Sequence, residues 1–261
     1  MNNNDLIFIT NDDGCKAKGI KILNDVAKIL SNNIWSFAPA INNSGKSHSI
    51  TINKNIKIEA LTNQTFKVEG TPVDCVVFGI KYLLKKKIKP KIILSGINYG
   101  QNLGLDLIYS GTVAAAREGS IQNIKSFSIS IEKNSKPTHW NTVKYYLPKI
   151  IKNIKALNFN NNIYYNINFP NVEIKKIKGC KIVKAGKRKP GEILTITKLK
   201  KKSFFLKIPS ERKIHKSAVI NEDEYEMNKK FITVTYHSYF SSSENNISKK
   251  LSSSLRKIVE K

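Results

Sequence analysis

The sequence predicts an α/β fold built on a doubly wound, mostly parallel sheet with flanking helices. Three observations carry that prediction. Short apolar runs rich in β-branched residues recur through the first two thirds of the chain, as buried parallel strands require. Segments with apolar residues at helical spacing alternate with them. The loops that leave the strands are full of small, polar and glycine residues, and open parallel sheets bind ligands at that edge.

The elements follow in order. Residues 6–10 (LIFIT) form a first strand, and Ile20, Leu23, Ala27 and Leu30 mark one face of a helix over residues 20–30. Residues 34–38 (IWSFA) and 66–69 are the next strands. Thr71 suits an N-cap and Pro72 the first helical position, so a helix is expected over residues 73–84. Residues 92–94 form a buried strand, 112–120 a helix with an Ala-rich first turn, 127–131 (FSISI) a strand, and 141–157 a Lys-decorated helix.

After about residue 160 the pattern changes. Residues 163–169 and 180–184 read as strands with no helix between them. Residues 192–199 and 203–208 flank Lys200, Lys201 and Lys202 and predict a β-hairpin with a basic tip. Residues 231–237 are a further strand, and Ile247, Leu251, Leu255 and Ile258 predict an amphipathic terminal helix after a Ser-rich break at 241–243. The expectation is one domain over 1–261: an α/β core in 1–185, then a projecting hairpin, a strand and a C-terminal oligomerisation tail in 186–261.

Composition bounds the function. Lys+Arg number 45 against 19 Asp+Glu, a formal charge of +26. The excess is mostly Lys, spread end to end in a chain also rich in Asn and Ile, so compositional drift outranks a dedicated nucleic-acid surface. A mild pull on anionic ligands lies between the two. With 40% apolar residues the chain can build a core, but its longest apolar runs fall far below the ~20 residues of a membrane span. Met1 is followed by no basic stretch or h-region, so no signal peptide is expected. Cys15, Cys75 and Cys180 are odd in number and lack a Cys-x-x-Cys, which argues against disulfides and zinc and for a cytoplasmic setting.

Chemistry concentrates in the strand-end loops. Asp12 and Asp13 are adjacent carboxylates that repel unless a cation or strong donors sit between them. With neutral oxygens such as those of Ser44 and Asn98, they describe a site for Mg²⁺, Mn²⁺ or a similar ion. The competing reading is that one of them caps the helix after Gly14. Three polar loops opening on one sheet edge favour the metal.

Gly96, Gly100 and Gly104 let backbone amides approach a phosphate, although their spacing matches neither G-x-G-x-x-G nor the P-loop. Ser110, Gly111 and Thr112 precede an Ala-rich helix, whose N-terminus can hold a phosphate or simply be capped. His48, His139, His215 and His237 show no paired metal spacing, and Cys15 reads as a bystander. No Gly-x-Ser-x-Gly elbow is present.

The segments 9–14 (ITNDDG), 38–45, 70–75 (GTPVDC), 95–104 and 109–116 (YSGTVAAA) together resemble the SurE family, the stationary-phase survival protein E, metal-dependent 5′/3′-nucleotidases. Weaker echoes follow in 166–170 (NINFP), at Lys178-Gly179, and at Gly186, Arg188 and Pro190. The resemblance implies a Rossmann-like core. It implies one divalent cation per subunit on Asp12, Asp13, Ser44 and Asn98, with Asp12, Asp13 and Asn98 serving catalysis. It places Asn11, Asn43, Gly45, Gly96, Ser110, Gly111 and Thr112 around the phosphate.

The implied reaction is hydrolysis of nucleoside 5′- and 3′-monophosphates to nucleoside and phosphate, in homodimers or homotetramers built by hairpin and C-terminal exchange. Water activated at the cation is the preferred nucleophile and an Asp the alternative. Departures from the family pattern are Ala40 where Asp is usual, and Tyr236-His237 where Pro-Leu is usual, leaving the His one place off. Asp223 falls where the family often has an Asp. Two rivals are a nucleotide- or RNA-binding module without catalysis, and a phosphatase acting mainly on polyphosphate. The +26 charge favours the first; the full set of four ligands and the lack of an RNP-type motif oppose it.

Overall fold

In the computed structural model the described residues are 3–134, 137–156, 162–191, 193–199, 203–209 and 219–239. The first apolar run becomes β1 (Ile7–Thr10), followed by α1 (Lys18–Leu30), β2 (Ile34–Pro39), β3 (Ile58–Thr62), β4 (Thr65–Val68) and α2 (Pro72–Lys85). Then come β5 (Ile92–Tyr99), a single turn α3 (Asp106–Tyr109), α4 (Gly111–Ile121), β6 (Lys125–Ile131) and α5 (Trp140–Ala156). The last part holds β7 (Ile163–Phe169), β8 (Gly179–Ile182), β9 (Thr195–Lys198), β10 (Phe204–Lys207), α6 (Asp223–Asn228) and β11 (Phe231–Ser238).

The main sheet has nine strands in the order β3-β4-β2-β1-β5-β6-β7-β11-β8. It is mixed but mostly parallel: β3 on β4 and β11 on β7 are the antiparallel pairs. From β1 the chain winds outward through β2 and β4, then returns to the other side of β1 at β5. That reversal opens a crevice at the carboxyl ends of β1 and β5, where doubly wound sheets bind ligands.

Pleating explains the two cores. Ile7 and Ile9 of β1 face α1 and α5, in a cluster with Leu23, Val26, Leu94, Phe127, Leu147 and Ile151. Leu6 and Phe8 face the opposite side, with Phe37, Phe66, Val76, Leu83 and Ile93. Gly19 lets α1 lie directly on β5, since a Cβ there would sit 1.9 Å from the Ile97 carbonyl oxygen. No helix among the described residues is long and apolar enough to cross a membrane.

Among the described residues the expected strands and helices are present, with differences of detail. β5 runs on to Tyr99, so the first half of the glycine-rich loop is strand, with an irregular register between Ser95 and Asn98. β3, α3 and α6 were not expected: β3 is an exposed edge strand, and α3 and α6 are only one or two turns long. The link between β7 and β8 contains one 3₁₀ turn, Ile174–Lys176. The hairpin is present as β9 and β10, antiparallel and exposed along its length. Its Lys200–Lys202 tip, His215, the Ser-rich break and the terminal helix over 247–258 lie outside the described residues.

Candidate active site

Residues 11–14 leave β1 at the switch point. Asn11 and Asp12 are buried and Asp13 is half-buried. Gly14 takes φ +101°, and its Cβ would press on the Ile41 backbone at 3.2 Å, so glycine is required where the two loops cross. The loop after β2 is tied to this turn by two backbone bonds: the Cys15 amide donates to the Pro39 carbonyl (2.8 Å), and the Asn43 amide to the Asp12 carbonyl (2.7 Å). Ser44 therefore stands next in chain to the residue bonded to Asp12. The Asn42 side chain accepts from the Ser44 amide (2.7 Å), which sets this turn, and Ser44 and Gly45 are solvent-exposed.

The α4 N-terminus completes the cluster. The Thr112 hydroxyl donates to the Asp12 carboxylate, which also accepts from the Gly111 and Thr112 amides. Gly111 must lack a side chain, because a Cβ would meet Asp12 at 2.9 Å and Pro72 at 3.1 Å. Ser110 caps α4, its hydroxyl oxygen accepting from the Val113 amide (3.2 Å). Capping and placement beside the acidic pair thus coexist. The loop after β2 also reaches this corner, because Ser47 donates through its amide to the Tyr109 carbonyl (3.0 Å) and through its hydroxyl to that of Ile108 (2.6 Å).

On the other side Asp13 accepts from the Tyr99 amide (3.5 Å), which brings the end of β5 to the pair. Asn98 lies in the same strand end and donates to the Gly100 carbonyl (2.5 Å). Gly96 adopts φ +141°, and a Cβ there would fall 2.3 Å from the Ile129 carbonyl oxygen. The loops carrying Asp12, Asp13, Ser44, Asn98 and Ser110–Thr112 thus converge on one sheet edge.

Electrostatics mark the pair. Burial raises the Asp12 carboxyl above the usual carboxylate range despite its donors. Burial, then the charge of Asp12, pushes Asp13 up to about 6. The Asn11 side-chain oxygen has no hydrogen-bond partner among the described residues, while its amide nitrogen donates to the Gly14 carbonyl (2.9 Å). No group of three His, Cys, Asp or Glu among the described residues is placed to hold a metal. Two adjacent carboxylates, with the loops that carry Ser44 and Asn98 tied to them, suit a hard cation that keeps several waters.

Sequence reasoning missed the contacts that hold these loops. Asp74, inside the GTPVDC segment, closes a capping box with Thr71 and accepts from the Thr51 amide (2.9 Å) and hydroxyl (2.7 Å). His48 and Glu118 pair at 3.0 Å and fasten the same loop to α4. The carbonyl of buried Asn102 accepts from Asn166 (2.9 Å) and Asn168 (3.0 Å), and its amide donates to the Asn168 side-chain oxygen (2.8 Å). Asp223 accepts from the Gly104 (2.8 Å) and Gly186 (2.9 Å) amides, and Arg188 pairs with Asp106 at 3.0 Å. The signals in the sequence were the Thr71 cap and GTPVDC segment, the NINFP segment with two asparagines on one side of a strand, the echoes at Gly186 and Arg188, and the family position of Asp223; none of them names a partner.

Known proteins resemble this chain over most of its length. A family model described as Survival protein SurE matches residues 7–192. A protein named 5′-nucleotidase SurE from Paramagnetospirillum magneticum is 41% identical over 187 residues, 71% of this chain and 72% of the relative. One of the same name from Rhodopseudomonas palustris is 40% identical over 189 residues, 71% of this chain and 73% of the relative. The crystal structure of the SurE protein from Aquifex aeolicus superposes with a TM-score of 0.80 at 30% identity, covering 91% of this chain and 95% of that one. With the family's motifs on one sheet edge and the family model spanning most of the α/β core, the chain belongs to the SurE family.

Proposed function

We propose that this chain is a divalent-metal-dependent phosphomonoesterase that hydrolyses nucleoside 5′- and 3′-monophosphates to nucleoside and phosphate, as the names of its relatives suggest for the 5′ esters. The observation that carries the reading is the buried Asp12 carboxylate, set beside Asp13 at the switch point and held by the first residues of α4. Asp12, Asp13, Ser44 and Asn98 would hold one Mg²⁺, Mn²⁺ or similar ion per subunit, which would supply Lewis-acid polarisation of a phosphoryl oxygen and a lowered pKa for water.

The chain's own groups do the rest. Asp12 is kept in one orientation by Thr112 and the Gly111 amide. Asn11, Asn43, Gly45 and Gly96 border the space for the phosphate, and Ser110, Gly111 and Thr112 add the favourable end of the α4 dipole. The test is phosphate release from a panel of 5′- and 3′-nucleoside monophosphates and polyphosphate, with and without EDTA, beside Asp12→Asn. Both treatments abolish release under this reading; activity surviving both overturns it.

The subunits associate as dimers or tetramers in the cytoplasm. Support comes from the hairpin, where Ile196, Phe204, Phe205 and Leu206 are each more than half exposed within one chain. Sedimentation of Phe205→Ser, Leu206→Ser against the parent chain checks this: a fall to monomer is expected.

A further inference from the structure

A cleft of about 810 Å³ opens beside Asp13, within the range of ~300–1,000 Å³ typical of small-molecule sites. Tyr99, at the end of β5, and Trp140, at the start of α5, line it together with Lys18 and Thr138. The two rings have centroids 6.3 Å apart. Each packs on the core that includes Phe169 and Leu147 and also lines the cleft.

This wall is rigidly mounted. The Tyr99 amide bonds Asp13, and the next amide, of Gly100, donates to the Ile131 carbonyl (2.9 Å). The Trp140 amide donates to the Thr138 carbonyl (3.0 Å), and that of His139 to the Asn171 side chain (2.8 Å). Lys133 places its ammonium 5.8 Å from the Tyr99 ring centre. A fixed aromatic surface with cations at its border is the chemistry that takes up a flat π-system attached to an anion.

We infer that the Tyr99–Trp140 cleft is the nucleobase subsite, with the base stacked on this wall and the phosphate directed past Asp13 toward the α4 N-terminus. This rests on the phosphomonoesterase reading for the phosphate end. The base end stands on the cleft alone. Stacking recognises the π-face that every base shares, so the subsite separates nucleotides from aliphatic phosphate esters more than one base from another.

Two measurements test it in the full-length chain. The first is the ratio of kcat/KM for adenosine 5′-monophosphate over β-glycerophosphate. Tyr99→Leu keeps an apolar side chain against the core and lowers this ratio about tenfold, as loss of one base–aromatic contact does. An unchanged ratio overturns the proposal. The second needs no turnover. Trp35, the other tryptophan, is buried in the opposite core cluster, so emission quenched by adenosine reports on Trp140. Quenching is expected in the parent chain, absent in Trp140→Phe, and shifted to about tenfold higher adenosine in Tyr99→Leu. Equal quenching in Trp140→Phe, or none in the parent chain, overturns the subsite. Quenching without phosphate release from any ester leaves the subsite standing and sinks the esterase reading instead.

Discussion

Thr112 shows how much one hydroxyl can matter. It is fully buried and donates to Asp12, so it would act on the proposed cation through the carboxylate it orients. Thr112→Val keeps the shape and removes the donor. Loss of such a supporting bond costs about 10–100-fold in metal affinity, which titration calorimetry with Mn²⁺ would read directly. Gly96 is decisive for a different reason. Its φ of +141° and the Ile129 oxygen leave no room for a side chain. Gly96→Ala should cost about 1–3 kcal/mol from the dihedral alone, with the close contact added, measured as a lower urea midpoint. Both residues stand in motifs legible in the sequence. Their roles were not, because a hydroxyl three residues inside a helix motif reads equally well as a ligand, a cap or a brace.

At the level of elements, β11 carries the family's altered C-terminal motif. It inserts between β7 and β8, pairing antiparallel with one and parallel with the other. His237 stacks on Tyr164 of β7 (centroids 5.5 Å apart) and lies 2.8 Å from the Thr235 hydroxyl. Burial, helped by the Arg117 charge, holds its imidazole down at about 4. The neutral ring is therefore the native form. The unfolded chain takes up a proton near pH ~6.5, so this stabilisation is complete above that pH and is lost as pH falls towards 4. Urea titrations at several pH values should show the parent chain losing more stability than His237→Phe between pH 7 and 4.

The periodicity of the long helices and the apolar strands made those elements visible in advance. β3, α3 and α6 were not, because an exposed edge strand and helices of one or two turns carry too few residues for a period to register.

For the whole molecule, binding of the proposed cation would be linked to folding. A cation that binds the native chain stabilises it by about 2.7 kcal/mol at a hundredfold excess over its Kd. Thermal melts with saturating Mn²⁺ should rise relative to EDTA, and the rise should vanish in Asp12→Asn. The +26 charge enters at the same scale. Most of the Lys excess lies outside the acidic loops and reads chiefly as compositional background, a diffuse positive field of the kind that favours small anions.

What the sequence determined by itself was the alternation of buried strands and amphipathic helices, and with it the sheet edge on which Asp12, Asp13, Ser44, Asn98 and the Ser110–Thr112 turn would meet. Those follow from local periodicity and from the rule that ligands gather where a doubly wound sheet reverses. The tertiary structure decided what holds that edge in place. Asp74, Glu118, the Asn102–Asn166–Asn168 network and Asp223 reach across as many as 119 positions of chain, from Gly104 to Asp223. It also decided that Tyr99 and Trp140, 41 positions apart, share one wall. The physical reason is common to both: a hydrogen bond or a ring contact depends on distance in space, and sequence pattern carries that only when the partners belong to one element.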